Sequence, residues 1–346
     1  MTYRVELEPS GLTFEVNPGE LILTAGLAAG IRMPYGCRMG TCRSCRGRVK
    51  SGRVDLGGAH IAYLPQRQRE EGYALLCQAT ALSDLRIEIE ELPMLAAPQV
   101  MPALVKKMTP KAPDVKVVAL RLPLHANIQF AAGQYVDFLL PEGVRRSYSI
   151  ANPANAAGVI DLEFHIRHLQ GGLFTSKVFG AMKEREKIQF EGPLGTFFLR
   201  KSPKPALFIA SGTGYAPIRS ILLSELPRAS GRRMVLYWGG RTRRDLYMME
   251  EPQQLAKEYG NFSFVPVLSE ALTDDNWTGA TGFVHRAVMR DLPDLSTWQV
   301  YASGAPLMVD AARKDFTEQC GLPEDEFYAD AFVSMADIAR LDGAGS

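Results

Sequence analysis

Three cysteines lie close together in the stretch PYGCRMGTCRSC, residues 34–45. Cys37, Cys42 and Cys45 have the spacing C-x4-C-x2-C, and a fourth cysteine, Cys77, follows far downstream. This is the ligand pattern of a plant-type 2Fe-2S cluster, in which one short loop supplies three thiolates and a distant segment supplies the fourth. The pattern therefore predicts a unit that binds a 2Fe-2S cluster at the start of the chain.

A structural zinc site also uses four cysteines. Zinc ligands usually come as close pairs on both sides of the metal, whereas Cys77 stands alone, so the cluster is the favoured interpretation. Three glycines of the loop would let the backbone approach the inorganic sulfides and donate N–H hydrogen bonds to them: Gly36, Gly40 and Gly47. The fifth cysteine, Cys320, is expected to be a small buried residue.

The composition is that of a globular protein. Of 346 residues, 46% are hydrophobic and 22% are charged, and the formal net charge is +1. The length suggests two or three domains, and the charge argues against a nucleic-acid or membrane partner. The first residues do not form an apolar signal peptide, and the longest apolar stretch is well short of the roughly 20 residues that span a bilayer. We expect a cytoplasmic protein.

The pattern of apolar residues divides the chain into three expected domains. Residues 1–91 combine short strands with a helix and the cysteine loop, and residues 92–102 contain three prolines that indicate a linker. Residues 103–201 alternate with strand period, which indicates an antiparallel β-barrel. Residues 202–333 alternate buried strands with helices, which indicates a doubly wound parallel α/β sheet. Residues 334–346 are expected to be a flexible tail.

The cysteine loop resembles that of the ferredoxin–FAD–NAD(P)H reductases. This family includes reductase components of Rieske oxygenases and bacterial multicomponent monooxygenases, and the CDP-6-deoxy-glucoseen reductases. The resemblance covers about residues 1–333 and keeps the domain order of the family. It implies a plant-type ferredoxin domain of β-grasp fold, an antiparallel FAD-binding β-barrel and a doubly wound NAD(P)H-binding domain.

The stretch RSYS, residues 146–149, resembles the flavin motif of the family. Strand alternation puts Arg146 and Tyr148 on one side and Ser147 and Ser149 on the other. The resemblance implies that Arg146 meets the FAD pyrophosphate, that Tyr148 packs against the flavin, and that Ser149 lies near its reactive nitrogen. The alternative is an ordinary exposed strand.

Two segments downstream of this motif also recur in the family, and both contribute candidate FAD-binding residues. The second is a glycine-rich helix start, whose free N–H groups and positive dipole suit a diphosphate. The candidates are His165, Ile166, Arg167, Gly171, Gly172, Leu173, Phe174 and Thr175. His165 is expected to act through its backbone only, and not as a general base.

Another glycine turn follows a predicted strand and precedes a helix, which is the setting of a dinucleotide site. Its candidate binding residues are Gly212, Thr213, Gly214 and Pro217. Arg241 follows the next strand, where the adenosine ribose is usually read. Arginines there suit a 2′-phosphate, but NADH-using family members also carry Arg241 and Asp245, so we favour NADH over NADPH.

The segment from Tyr301 to Met308 resembles the family segment beside the nicotinamide, with Gly304 and Met308 as candidate binding residues. Where the family carries a cysteine, this chain has Ser303, and the departure puts efficient hydride transfer in doubt. The family places an aromatic ring at the flavin near its C-terminus, which implies Phe332 here, with Tyr328 in the core. The candidate catalytic residues are Ser149, Ser303 and Phe332.

The three domains in series imply a reductase. NAD(P)H delivers two electrons as a hydride, oxygenase centres accept one at a time, and FAD can do both. Electrons would leave through the 2Fe-2S cluster to a terminal oxygenase component, with a Rieske aromatic-ring hydroxylase as the leading acceptor. The alternatives are a CDP-6-deoxy-glucoseen reductase and, because of Ser303, a redox-sensing module without sustained turnover.

Residues 31–53 carry basic side chains and no aspartate or glutamate. The basic residues are Arg32, Arg38, Arg43, Arg46, Arg48, Lys50 and Arg53. They indicate either a solvated loop that offsets the anionic cluster or an electrostatic docking surface for an acidic acceptor protein.

Overall fold

A computed structural model describes residues 2–90, 92, 93 and 95–333. The chain divides into two compact units, Met1–Leu95 with Ala331–Ser346, and Ala96–Asp330. The division at Leu95 falls inside the predicted linker, and the predicted tail lies outside the described residues. None of the helices in the described part of the chain has both the length and the apolar composition that a bilayer span requires.

The first unit contains a mixed five-stranded sheet. Its elements are β1 (Tyr3–Glu8), β2 (Thr13–Val16), α1 (Ile22–Ala28), β3 (Arg46–Ser51), β4 (Val54–Asp55), α2 (Gln66–Glu70), β5 (Tyr73–Leu75), β6 (Thr80–Ala81) and β7 (Leu85–Glu88). The strand order is β2-β1-β7-β3-β5, in which β1 and β7 are parallel and the other pairs are antiparallel. Strands β4 and β6 form a separate short ladder.

Alternation of apolar residues decides which face of this sheet is buried. In β2, Phe14 and Val16 are buried while their neighbours are exposed, and Ile22 and Leu23 of α1 pack into the same core. The loop between α1 and β3 joins that core through Met33 and Tyr35. The loop that carries three of the cysteines is therefore anchored on its apolar side.

A six-stranded antiparallel sheet opens the second unit. Its elements are β8 (Gln99–Ala112), β9 (Val115–Arg121), β10 (Tyr135–Leu139), β11 (Arg145–Ser149), β12 (Asp161–Arg167), α3 (Leu173–Phe179) and β13 (Lys187–Leu194). The order is β11-β10-β13-β8-β9-β12, and an antiparallel bridge from Ile150 to Phe164 joins its two ends. The sheet is therefore closed into the predicted barrel.

The proline-rich linker is shorter than predicted, because β8 already begins at Gln99. Pro102 lies within this strand opposite Gln189 of β13. The pairing of β8 with β9 starts only at Leu104, so Pro102 has a strand neighbour on one side. A proline lacks an N–H group, and such a one-sided position tolerates that loss.

The rest of the second unit is the predicted parallel α/β sheet. Its elements are β14 (Ala206–Ser211), α4 (Tyr215–Glu225), β15 (Met234–Gly240), α5 (Glu250–Glu258), β16 (Phe262–Leu268), β17 (Ala280–Thr281), α6 (Val284–Asp291), β18 (Gln299–Gly304), α7 (Pro306–Gln319) and β19 (Phe327–Ala331). The order is β17-β16-β15-β14-β18-β19. The chain runs outward from β14 through β15 and β16, then returns to β18 on the other side of β14, which makes the carboxyl ends of β14 and β18 a switch point.

Candidate functional site

The cysteine sulfurs of the first unit lie in two pairs. Cys37 and Cys42 are in mutual hydrogen-bond contact, and so are Cys45 and Cys77. The backbone N–H groups of Met39 and Cys42 donate to Cys37 Sγ, both at 3.3 Å. The hydrogen bond with Cys42, together with these N–H donors, holds the pKa of Cys37 well below its usual range. The same contact raises the pKa of Cys42.

Two pairs of cysteine sulfurs suit a cluster of two irons, each held by two sulfurs. Among the described residues, no three or more metal-ligating side chains are grouped as a single-ion site would need. The donor set, which is all sulfur with backbone N–H groups aimed at it, fits the predicted 2Fe-2S cluster.

The three glycines of the cysteine loop have different roles. Gly40 has a φ of +77°, and an added Cβ there would lie 2.9 Å from Cγ of Gln78, so this position needs glycine at the loop. An added Cβ at Gly47 would instead lie 2.8 Å from Cγ2 of Ile87, which is core. Core packing in β3 therefore requires glycine at position 47, and its predicted role toward the cluster stays a prediction. Gly36 stays a prediction.

The flavin motif forms β11 at the end of the barrel sheet. Tyr148 packs inward, with its ring centroid 5.3 Å from that of Phe174, and burial raises its pKa. Arg146 is exposed, and its Nη1 donates to the Arg145 carbonyl at 2.8 Å. The exposed guanidinium suits a phosphate.

The two serines of the motif are engaged with carboxylates. The Ser147 hydroxyl donates to Asp137 Oδ1 at 2.6 Å, across the register pair of β10 and β11. The buried Ser149 hydroxyl donates to Asp330 Oδ2 at 3.2 Å. The flavin-side role predicted for Ser149 stays a prediction, now with Asp330 as a partner that the motif did not reveal.

The glycine-rich helix start is α3. The first helical hydrogen bond of α3 runs from Ser176 N to Gly172 O. The backbone N–H groups of Leu173, Phe174 and Thr175 therefore have no acceptor within the helix. Gly171 has a φ of +73°. These N–H groups fit a diphosphate.

The side chains of these candidates do not all face a ligand. Phe174 lies in the barrel core, stacked on Phe138 at 5.0 Å, and Ile166 is also core. Thr175 Oγ1 donates to the Leu169 carbonyl at 3.0 Å. Only backbone groups are therefore offered by Phe174, Ile166 and Thr175.

His165 differs from its prediction. Its ring is buried, with Nδ1 2.8 Å from the Tyr247 hydroxyl and Nε2 3.4 Å from Glu163 Oε1. Burial lowers its pKa. The side chain thus connects the barrel to the α/β sheet, so the expectation that only its backbone matters is wrong. The contact is with a residue 82 positions away, which local sequence does not reveal.

The nucleotide turn lies at the switch point. Gly212, Thr213 and Gly214 form a tight turn between β14 and α4, and an added Cβ at Gly214 would lie 2.1 Å from the Ser303 carbonyl oxygen. Gly304 has a φ of +127°, and an added Cβ there would lie 2.4 Å from Ser211 Oγ. The turn and the end of β18 are therefore in direct backbone contact, and only glycine fits at both positions.

Arg167 of β12 lies beside this turn. Its Nη1 donates to Asp245 Oδ1 at 3.1 Å, while Nε and Nη2 are buried and have no hydrogen-bond partner within the described part of the chain. An added Cβ at Gly212 would lie 3.6 Å from Nη2. Buried guanidinium nitrogens are normally paired. Two unpaired ones next to the glycine turn fit the phosphates of a dinucleotide.

The remaining nucleotide candidates surround the same edge. Pro217 is buried in the first turn of α4, and Met308 is half-buried in the first turn of α7. Arg241 is exposed after β15. Asp245 accepts from the N–H groups of Arg241 and Thr242 at 3.1 and 3.0 Å, so it shapes the turn.

Ser303 is fully buried, and its hydroxyl has no hydrogen-bond partner among the residues that the structure describes. It is the last residue but one of β18 and lies opposite Ala210 of β14. A buried hydroxyl without a partner costs roughly 1–3 kcal/mol. A thiol tolerates such a site better, because it behaves as a small apolar group.

We expect Ser303→Cys to change the rate of flavin reduction several-fold with little loss of stability. Stopped-flow absorbance with NADH and with NADPH, together with thermal unfolding, measures both effects. Ser303→Ala, which removes the hydroxyl without adding sulfur, is the control and should stay near the parent rate. Unchanged rates of flavin reduction in Ser303→Cys with both NADH and NADPH would show that Ser303 has no role in hydride transfer.

Phe332 directly follows β19 and is half-buried. Its role at the flavin stays a prediction. Tyr328, predicted to be core, stacks on Tyr301 at 4.9 Å and packs against the core of the α/β sheet.

Residues missed by the sequence analysis cluster where the barrel meets the α/β sheet. They are Asp114, Arg219, Tyr247, Glu251 and Asp330. Each contacts a residue far away in the chain, so no local pattern marks them. Arg219, five residues after Gly214 and surrounded by apolar residues on the N-terminal side of Ser220, is the residue whose charge stands out in the sequence of α4.

Three domain families match this chain, each over the residues of one of its three main sheets. Residues 5–82 match the 2Fe-2S iron-sulfur cluster binding domain, residues 102–199 the oxidoreductase FAD-binding domain, and residues 208–314 the oxidoreductase NAD-binding domain. The chain thus carries all three binding domains.

Relatives match over nearly their whole length. A CDP-6-deoxy-L-threo-D-glycero-4-hexulose-3-dehydrase reductase of Yersinia pseudotuberculosis is 38% identical, over 96% of this chain and 99% of that protein. The reductase component of phenol 2-monooxygenase from Pseudomonas sp. strain CF600 is 36% identical, over 98% and 97%. The crystal structure of the Amycolatopsis cytochrome P450 reductase GcoB has a TM-score of 0.76 and 32% identity, over 96% and 99%. The chain therefore belongs to the ferredoxin–FAD–NAD(P)H reductase family and is an NAD(P)H-dependent flavin and iron–sulfur oxidoreductase.

Proposed function

We propose that this protein is the reductase component of an oxygenase system and delivers single electrons from NADH to the oxygenase component. The observation that carries the proposal is the presence, in one chain, of a thiolate cluster loop, a flavin motif and a nucleotide turn at a switch point. A relative that matches over 97% of its length is the reductase component of phenol 2-monooxygenase, which supports an oxygenase as the electron acceptor. A Rieske aromatic-ring hydroxylase is the acceptor favoured here.

FAD, when bound, accepts a hydride from the nicotinamide and releases the electrons one at a time. The protein supplies position and charge. Arg146 and the free backbone N–H groups in the first turn of α3 would hold the FAD pyrophosphate, and Tyr148 would pack against the flavin. Arg167 and the Gly212 turn would hold the nucleotide phosphates.

The cysteine pairs would hold the 2Fe-2S cluster. Cys37 and Cys42 would bind one iron, and Cys45 and Cys77 the other. The N–H groups of Met39 and Cys42 would stabilise the Cys37 thiolate. The domain boundaries 1–91, 99–201 and 202–333 belong to the same proposal, with the linker ending at Pro98 and the barrel beginning with β8 at Gln99 instead of at the predicted residue 103.

NADH is the favoured donor. Exposed arginines at 241, 243 and 244 suit a 2′-phosphate, but Arg243 Nη2 lies 3.8 Å from Glu250. Asp245 is already engaged with the turn and with Arg167. NADH-using family members carry Arg241 and Asp245, and we follow that resemblance.

The second candidate acceptor is a sugar-nucleotide dehydrase. The 38% identity to a hexulose dehydrase reductase, over 99% of its length, favours it. Both acceptors take single electrons, so the reductase chemistry is the same.

Reconstitution with each acceptor separates the candidates. We expect the purified chain, with FAD and two irons per molecule, to drive turnover of an aromatic-ring oxygenase component with NADH, and to do so more slowly with NADPH. Turnover with a hexulose dehydrase and none with oxygenases would favour the second candidate. Failure to reduce any one-electron acceptor, cytochrome c included, would favour a redox sensor.

The basic segment is proposed as the docking surface for an acidic acceptor. Arg38 is exposed next to Cys37, with its guanidinium carbon 5.8 Å from the centre of the Tyr35 ring. Arg43 donates to Gln68 Oε1 at 2.8 Å, and Arg46 lies over the Tyr73 ring at 4.8 Å. Lys50 pairs with Glu88 at 3.2 Å. Arg46, Arg48 and Lys50 lie in β3, and Arg53 comes after the end of that strand. Only the part of the basic segment before β3 therefore belongs to the cluster loop.

Two single substitutions test this docking surface. Arg38→Gln should slow acceptor reduction roughly two- to five-fold at low ionic strength and flatten its salt dependence, because a positive field speeds the encounter with an acidic partner. Arg53→Gln removes the same charge beyond the end of β3 and should change the rate little. Equal rates and salt slopes in both variants, with flavin reduction intact, would exclude a docking role for Arg38.

A further inference from the structure

One face of α4 is bonded to the segment that continues the flavin motif. Arg219 Nη1 donates to the Ala151 carbonyl at 2.9 Å, and Ser220 Oγ donates to the Asn152 carbonyl at 2.7 Å. One turn later, Ser224 Oγ accepts from the Ala154 N–H at 2.9 Å. Three side chains of one helix thus bond three backbone groups of the barrel. We call Arg219, Ser220 and Ser224 the α4 contact set.

Arg219 has further partners, all of them acidic. Its Nε and Nη2 donate to the two oxygens of Glu251 at 2.6 and 2.8 Å, and its Nη1 also donates to Glu163 Oε1 at 2.9 Å. The hydroxyl of Tyr215 donates to Glu251 Oε2 at 2.8 Å. The Arg219 side chain is only 13% exposed. Such a planar, bidentate arrangement fixes the orientation of the guanidinium.

The position of the set in the chain connects the two cofactor sites. Ala151 comes two residues after Ser149 of the flavin motif, and Arg219 comes five residues after Gly214 of the nucleotide turn. A single buried side chain therefore spans from the strand that carries the flavin residues to the helix that begins at the nucleotide turn. A shift of α4 along the barrel would move the turn relative to the flavin motif.

We propose that the α4 contact set is a positioning device for hydride transfer, with Arg219 as its main member. Hydride transfer requires the reacting atoms to be about 3–3.5 Å apart, and a misplacement of about 1 Å can cost roughly a hundredfold in rate. The set acts through the backbone of Ala151–Ala154 and touches neither cofactor motif directly. This role depends on the proposed hydride transfer from NADH to FAD.

The test needs variants that keep the fold. Removing the charge of Arg219 would leave Glu163 and Glu251 without their partner at a mostly buried place, so Arg219→Ala can fail to fold. Arg219→Lys keeps the charge, but one ammonium cannot reproduce the flat set of bonds to Glu251, Glu163 and Ala151. Ser220→Ala with Ser224→Ala removes only neutral hydroxyls and leaves Arg219 in place.

Stopped-flow reduction of the holoenzyme by NADH is the measurement. We expect Arg219→Lys to lower the limiting rate of flavin reduction about ten- to a hundredfold, with the apparent Kd for NADH changed less than about threefold. The serine double variant should lower the same rate several-fold. FAD and iron content, reduction by dithionite and reoxidation by ferricyanide should match the parent protein.

Arg228→Lys is the matched control, because Arg228 is an exposed residue just after α4 that pairs with Glu225 at 2.7 Å. It should leave all rates unchanged. A limiting rate within twofold of the parent in both α4 variants would overturn the proposal, whatever the loss of thermal stability. If the lysine variant does not fold, the serine double variant decides by the same criterion. A parent protein that NADH does not reduce would instead contradict the proposed function.

Discussion

A chain shortened to begin at Ala96 is expected to keep its NADH–ferricyanide activity within about twofold and to lose reduction of its protein acceptor by roughly a hundredfold or more. All four cluster cysteines lie in Met1–Leu95, whereas the barrel and the α/β sheet lie in the other compact unit, Ala96–Asp330. FAD can pass electrons directly to ferricyanide, but transfer to the protein acceptor needs the cluster. Steady-state assays with both acceptors measure the two activities.

The position of the cut matters. Strand β8 begins at Gln99, which pairs with Gly192 of β13, so a chain beginning at Ala103 removes part of the barrel and should unfold at lower temperature. It serves as the comparison for a start at Ala96. Full-rate reduction of the protein acceptor by the Ala96 chain would show that the cluster is not on the electron path.

Gly214→Ala should reduce NADH-driven flavin reduction about a hundredfold while leaving FAD and iron content intact. The backbone at Gly214 has a φ of −59°, which alanine adopts readily. The added Cβ, however, would lie 2.1 Å from the Ser303 carbonyl oxygen and 2.7 Å from Gly304 N. These are backbone atoms of a buried strand, so the nucleotide turn has to move away from β18. A shift of about 1 Å at a reacting site can cost this much.

Gly260→Ala is the control for this substitution. Gly260 precedes β16 in the same α/β sheet, and an added Cβ there meets nothing within 4 Å. Stopped-flow reduction by NADH, with dithionite reduction as a check on the flavin, compares the two variants. Equal rates for both alanine variants would mean that the turn does not need its close contact with β18.

Local patterns were sufficient for the architecture. The spacing of four cysteines predicts the cluster loop, and strand period over residues 103–201 predicts the barrel. Buried strands alternating with helices predict the parallel sheet around β14. Each of these signals depends on residues close together in the chain, where side-chain type and backbone geometry are directly coupled.

Where prediction from local sequence was wrong or incomplete, an unseen neighbour was the reason. Pro102 was predicted to lie in a linker, because proline interrupts regular structure. It lies instead in β8, at a position where that strand has a neighbouring strand on one side only. For Gly47, local sequence did not reveal that Ile87 across the sheet requires a glycine there. His165 reads as a backbone contributor, yet its ring meets Tyr247.

The sequence by itself therefore determined the fold class, the order of the domains and the family of this protein. Only the tertiary structure decided which side chains join the flavin barrel to the nucleotide-binding sheet. Arg219 meets Ala151 across 68 positions of the chain, and Arg167 meets Asp245 across 78. Such contacts arise when two separately patterned layers pack together, and nothing in the residues next to either partner specifies the pairing.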